Sequence, residues 1–198
     1  MSAPLQGAVG AWLACGCAMR APVPTRRAVM TGLCSALAIP AVTLLPPNVA
    51  HADAAEDERF MRIALDEARH ADFPFGAVIV REGREVARGR NLGLVTDDPT
   101  AHGEMIAIRR ALAVNNRSVL VGSTLYTTGE PCAMCMGAIL WCHFGRLVFA
   151  ASIEQLSTRI DQIMISSADL ARRTPFAPIE ITGGVLAEEA MALFPPRP

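Results

Sequence analysis

The tightest constraint on this chain is the placement of one histidine and two cysteines. His102-Gly103-Glu104 is followed, after an intervening helix and strand, by Pro131-Cys132-Ala133-Met134-Cys135. In a shuffled chain of this composition P-C-x-x-C is expected roughly 0.01 times and H-x-E roughly 0.2 times. Their joint presence in this order is therefore a demand on the fold rather than an accident of composition.

The local pattern says how the demand is met. Residues 101–114 carry Met105, Ile108 and Leu112 on an apolar stripe, with Arg109 and Arg110 opposite, which predicts a helix. Such a helix advances about 21 Å. Residues 123–128 read as a strand and return about 20 Å. The second helix, with Pro131 in its first turn, then begins beside the start of the first. Helix starts present unpaired N–H groups and a positive dipole end, which favours thiolate at Cys132 and Cys135. Cysteines three apart share a helix face. His102, Cys132 and Cys135 thus supply three ligands and the sequence offers no fourth. A structural zinc site closes all four positions, whereas a catalytic one leaves a position for water and lowers its pKa to roughly 7. Glu104 lies at the same helix end and is expected to move protons rather than bind metal. Glu130 reads as an acid favoured by the dipole of the helix it precedes.

Elsewhere the pattern mixes helices and strands. A helix is expected over 56–70, strands over 75–80 and 85–89 joined by a turn, a polar loop over 91–100, and strands over 146–150 and 179–182. A last helix is expected over 186–193. No internal repeat or second folded domain appears. This predicts one sheet covered by helices on both faces.

The first 52 residues read differently. Thr25-Arg26-Arg27 opens an apolar run to Leu45, Pro46-Pro47 break it, and Ala50-His51-Ala52 offers a small-x-small cleavage site. These are the parts of an export signal, and the paired arginines resemble the twin-arginine type. The expectation is a periplasmic or exported protein, cleaved after Ala52, with residues 53–198 as the folded domain. An uncleaved anchor is the competing reading, since Ala28 to Leu45 is just long enough to span. A false leader would leave the protein cytoplasmic, and Met19 is a candidate start. With the leader gone, Cys132, Cys135 and Cys142 remain, an odd set that suits metal chemistry better than a disulfide frame.

The pairing of H-x-E with downstream P-C-x-x-C is the signature of zinc base deaminases. Asp98-Pro99-Thr100-Ala101-His102-Gly103-Glu104 and Glu130 to Ile139 resemble the cytidine deaminase-like superfamily, in its guanine deaminase and tRNA adenosine deaminase branch. The resemblance covers about residues 56–194. It implies a three-layer α/β/α sandwich with a mixed five-stranded sheet, usually a homodimer, with one zinc per subunit. It implies that Asn91 hydrogen-bonds the substrate and that the strand opening at Phe75 lines the pocket. Trp141 is similar to a guanine deaminase position, which makes it a candidate substrate contact, and Asp161 stands where that enzyme reads the base with an acid. Gly103 occupies a position where alanine is usual, its N–H free for substrate. Residues 181–189 look more like the last helix of the tRNA enzymes.

Three functions follow. The first is deamination of guanine or a related free base or nucleoside. Export favours it, as does charge: residues 53–198 hold fifteen arginines against nineteen acids, and there is no lysine. A net acidic domain is a poor match for a nucleic-acid partner. The second is tRNA adenosine-to-inosine deamination, which needs a basic face and a cytoplasmic location. The third is a non-catalytic zinc-stabilised binding module, for which Glu104 has no use.

Overall fold

The computed structural model describes residues 54–197. The export signal, its cleavage site and the alternative anchor fall outside them. Among the described residues no helix is long and apolar enough to cross a membrane.

The chain runs α1 (Ala54–Arg69), β1 (Gly76–Arg81), β2 (Arg84–Arg90), α2 (Gly103–Val114), a 3₁₀ turn (Arg117–Val119), β3 (Thr124–Gly129), α3 (Ala133–Trp141) and β4 (Arg146–Ala151). Two short helices, α4 (Ile153–Ser157) and α5 (Ser167–Ala171), precede β5 (Glu180–Gly183) and α6 (Ala187–Met191). The five strands form one mixed sheet in the order β2-β1-β3-β4-β5. β1 pairs antiparallel with β2 and β3, while β3, β4 and β5 run parallel.

Period-two alternation builds the layers. Val78, Val80, Tyr126, Val148 and Ala150 face one side, where Phe60, Met61, Ala64 and Leu65 of α1 and Ala190 of α6 cover them. Ala77, Ile79, Leu125, Leu147 and Phe149 face the other, under Ala107, Ile108 and Ala111 of α2 and Met136 and Ile139 of α3. Side chains such as Phe60, Met61 and Leu65 are essentially fully buried, each stabilising the fold by about 1.5–3 kcal/mol. The expected α/β/α sandwich is the observed architecture.

A polar clamp fixes α1 to the sheet. Arg146 Nη1 and Nη2 donate to Asp57 Oδ1 and Oδ2 at 2.6 and 2.8 Å, and the Tyr126 hydroxyl donates to Oδ1 at 2.9 Å. Arg146 also donates to Glu180 and Thr182 of β5. The Asp57 carboxylate thus joins α1 to β3 and β4, and the Arg146 guanidinium carries the link on to β5. Burial, and then the Asp57 carboxylate beside it, push the Tyr126 phenol above its ordinary value.

Two local expectations are corrected. Leu112 is exposed, because the buried stripe of α2 runs through Glu104, Ala107, Ile108 and Ala111 and position 112 is the next step round the helix. Pro131 precedes α3 rather than sitting in its first turn, since Cys132 is the N-cap.

Candidate active site

His102 and Cys132 hold the same local position. Each is the N-cap of its helix, with extended backbone angles (φ −68°, ψ 157° and φ −62°, ψ 168°), and neither side chain makes a capping hydrogen bond. An N-cap is where Ser, Thr, Asp or Asn normally stabilises the helix by about 1 kcal/mol. Here that stabilisation is given up and both side chains are left to meet across the gap between α2 and α3. Cys135, in the first turn of α3, completes the group.

The three donor atoms lie within 4.8 Å of one another. Cys132 Sγ is 3.7 Å and Cys135 Sγ 3.6 Å from His102 Nδ1. Ligand bonds of 2.0–2.3 Å around a tetrahedral ion put neighbouring donor atoms about 3.5–3.8 Å apart. The group therefore fits zinc in both donor chemistry and spacing. A hydrogen bond from Cys135, reinforced by His102, pulls the Cys132 thiol down to about 4. The same contact with Cys132, and then burial, push Cys135 up. His102 is raised, chiefly by its hydrogen bond to Cys132. Cys132 is therefore the group that loses its proton most readily, and a bound cation would release the protons held by the others.

Glu104 sits one residue inside α2, fully buried. Thr127 Oγ1 of β3 donates to its Oε1 at 3.4 Å, and burial raises its pKa above the ordinary carboxylate value. Thr127 was not singled out in the sequence; its signal is only that it alternates with Tyr126 and Thr128 along a buried strand. Thr128 faces the other way and latches the segment before β1, accepting from Gly76 N at 3.1 Å and donating to Pro74 O at 3.3 Å.

Two glycines allow α2 to approach the sheet. A Cβ on Gly89 of β2 would lie 2.4 Å from both Gly103 O and Ala107 N, and one on Gly103 would lie 3.0 Å from Phe75 O. Gly103 therefore serves the packing of α2 against the start of β1, and it is not among the residues lining the cavity.

That cavity, of about 280 Å³, opens over the trio. It is lined by His102, Glu104, Cys132 and Glu130, by Phe73, Phe75 and Asn91, and by the segment Ile160, Asp161, Gln162 and Ile163. It lies at the low end of small-molecule sites, the size of a base rather than a larger ligand. Phe75 is backed edge-on by Phe194, with ring centroids 5.1 Å apart. Asn91 is buried, and its Oδ1 accepts from Gly93 N at 3.0 Å, so the amide NH₂ is the donor left for the cavity. Asp161 stands at the mouth with its side chain 97% exposed, ion-paired with Arg197. Trp141 lies outside the cavity. It is 74% exposed and packs edge-on against Phe176, which His143 also contacts. Its position at the C-terminal end of α3, a helix whose N-terminus carries the ligands, is what separates it from the site. Glu130 is corrected as well. Rather than serving α3, its carboxylate accepts from Ile153 N at 3.0 Å and Ser167 N at 2.7 Å.

Sheet, helix tips and His-Cys-Cys group together define a zinc-binding deaminase domain. Residues 54–151 match the family described as the cytidine and deoxycytidylate deaminase zinc-binding region. The chain is 41% identical over 138 residues to the tRNA-specific adenosine deaminase of Haemophilus influenzae, covering 67% of this chain and 78% of that relative. It is 47% identical over 78 residues to the guanine deaminase of Bacillus subtilis, covering 39% and 50%. A solved structure from work on A-to-I editing by tRNA:A34 deaminases superposes with a TM-score of 0.59 at 31% identity, over 69% of this chain and 99% of that one. The chain belongs to the cytidine deaminase-like family and is a zinc-dependent hydrolytic deaminase of a nucleobase or nucleoside.

Proposed function

We propose that the substrate is a purine, attacked at the carbon bearing its exocyclic amine, and that the purine is adenosine presented by a tRNA. The observation that carries this is the 41% identity spanning 78% of a tRNA-specific adenosine deaminase. It reverses the order in which charge and the leader ranked the two substrates. A cavity the size of one base suits a flipped-out nucleotide as well as a free base.

When bound, zinc supplies an acidified water as the nucleophile. His102, Cys132 and Cys135 would hold the ion. Phe75 packs against the face of the base, and the Asn91 amide donates to its edge. Glu104, buried beside the ligands and oriented by Thr127, takes the water's proton. It passes that proton to the ring nitrogen, then takes the second proton from the hydroxyl left on the carbon and delivers it to the departing amine as the C–N bond breaks.

Free guanine is the second reading, supported by the 47% identity to a guanine deaminase and by the acidic balance of residues 53–198. One assay separates them: ammonia release by the purified protein from guanine, from adenine and from an RNA anticodon stem-loop bearing adenosine. Inosine formed in the stem-loop, with guanine untouched, supports the tRNA reading; guanine turnover alone overturns it. Location is an independent arm, because tRNA is cytoplasmic. Export through the leader, read from the sequence alone, is proposed only together with the free-base reading. If export stops when Arg26 and Arg27 are both changed to Lys, the twin-arginine assignment holds and the free-base reading gains; unchanged export removes that assignment.

A further inference from the structure

Glu130 has no part in the chemistry above, yet it is 7% exposed, lines the cavity and precedes the ligand Cys132 by two residues. Its two oxygens are divided between two other elements. Oε2 accepts from Ile153 N, the first residue of α4, and Oε1 from Ser167 N, the first residue of α5. Between those helices runs the segment 158–166, whose residues Ile160, Asp161, Gln162 and Ile163 form a wall of the cavity that Phe73 and Phe75 also line. One carboxylate therefore closes the α4–wall–α5 excursion onto the strand end that carries the zinc ligands. Ile160 packs on the core. Beyond it the wall is open to solvent, with Ile163 57% and Met164 59% exposed.

We propose that Glu130 is a positioning residue: it holds the substrate wall at a fixed distance from the metal and so sets how tightly the base is gripped. This rests on the cavity being the substrate site. The chemistry requires a carboxylate, because two N–H donors face two oxygens and each bond is charge-assisted. Glutamine offers one acceptor and turns an NH₂ toward the other N–H, leaving a buried donor unpaired.

The test is Glu130→Gln in the full-length zinc-loaded protein, read by zinc content, backbone hydrogen exchange and steady-state kinetics. Zinc stays at the wild-type level. Exchange over 153–167 rises about tenfold or more while the α2 and β3 amides are unchanged. KM rises about tenfold with kcat within about threefold, the mark of lost ground-state binding. Ser167→Pro is the second variant should Glu130→Gln fold poorly. It deletes one donor at a first helical position that tolerates proline, after a residue already extended (Ser166 φ −68°, ψ 154°), and shifts exchange and KM in the same direction. Ser152→Ala is the control. It removes the separate cap of α4, lowering the melting temperature with KM unchanged. Wild-type exchange and KM in Glu130→Gln overturn the proposal, as does zinc loss, a fall in kcat alone, or an equal KM rise in Ser152→Ala. Should wild type turn over none of the substrates above, the substrate assignment fails while exchange and zinc content still decide the tether.

Discussion

The two sides of the cavity are built by different means. The metal side is fixed by the sheet: His102 and Cys132 are N-caps of helices whose apolar residues share one core cluster with the sheet, and Gly89 and Gly103 let α2 sit against backbone. The rest of the lining comes from residues 158–166, a segment between α4 and α5 that belongs to no strand. It is held by Ile160 in the core, by the Glu130 carboxylate and by the Asp161–Arg197 pair at the mouth. Reaction chemistry, which tolerates little displacement, lies on the rigid side.

This contrast can be broken in several places. The largest effect belongs to Glu104→Ala, which should keep full zinc content while turnover falls by about 10²–10⁴-fold; zinc loss in the variant, measured by elemental analysis, would make Glu104 a ligand. Gly89→Ala comes next. Its Cβ meets two α2 backbone atoms at 2.4 Å, so α2 must move, and with it His102. We expect a loss of about 1–3 kcal/mol in denaturant unfolding, as for overpacked cores, with weakened zinc retention. Arg146→Ala, on the face of the sheet covered by α1, should cost about 3 kcal/mol by leaving the buried Asp57 carboxylate unpaired. Activity per folded molecule should not change; a specific loss of kcat there would show that the α1 clamp reaches the site. The smallest effect is expected from Trp141→Ala, with KM within about twofold of wild type, since the indole lies outside the cavity. A larger change would bring Trp141 to the substrate by a route a single chain does not supply.

The legibility of the sequence divides along the same line. The helix tips were readable because ligand spacing, helix period and the rise of one helix and one strand together left few ways to assemble the group. The apolar run over 75–80 and the run over 123–128 marked strands, and the mixing of strands with helices implied a sheet covered on both faces. The wall was not readable. Glu130 bonds to residues 23 and 37 positions later, and nothing local distinguishes such an acid from one serving the adjacent helix. The Asp57–Tyr126–Arg146 clamp spans 69 and 89 positions and was hidden for the same reason. Trp141 was drawn toward the pocket by family likeness, although its place at the far end of α3 carries it away. Leu112 failed on a smaller scale, where one residue's rotation separates a buried stripe from solvent.

The most direct test of a catalytic rather than structural zinc is X-ray absorption at the zinc edge of the purified protein. One ion per chain is predicted, with two sulfurs at about 2.3 Å and two lighter ligands at about 2.0–2.1 Å, only one of them an imidazole. A third sulfur or a second imidazole would mean that another side chain completes the coordination, and an open, reactive metal position would be contradicted.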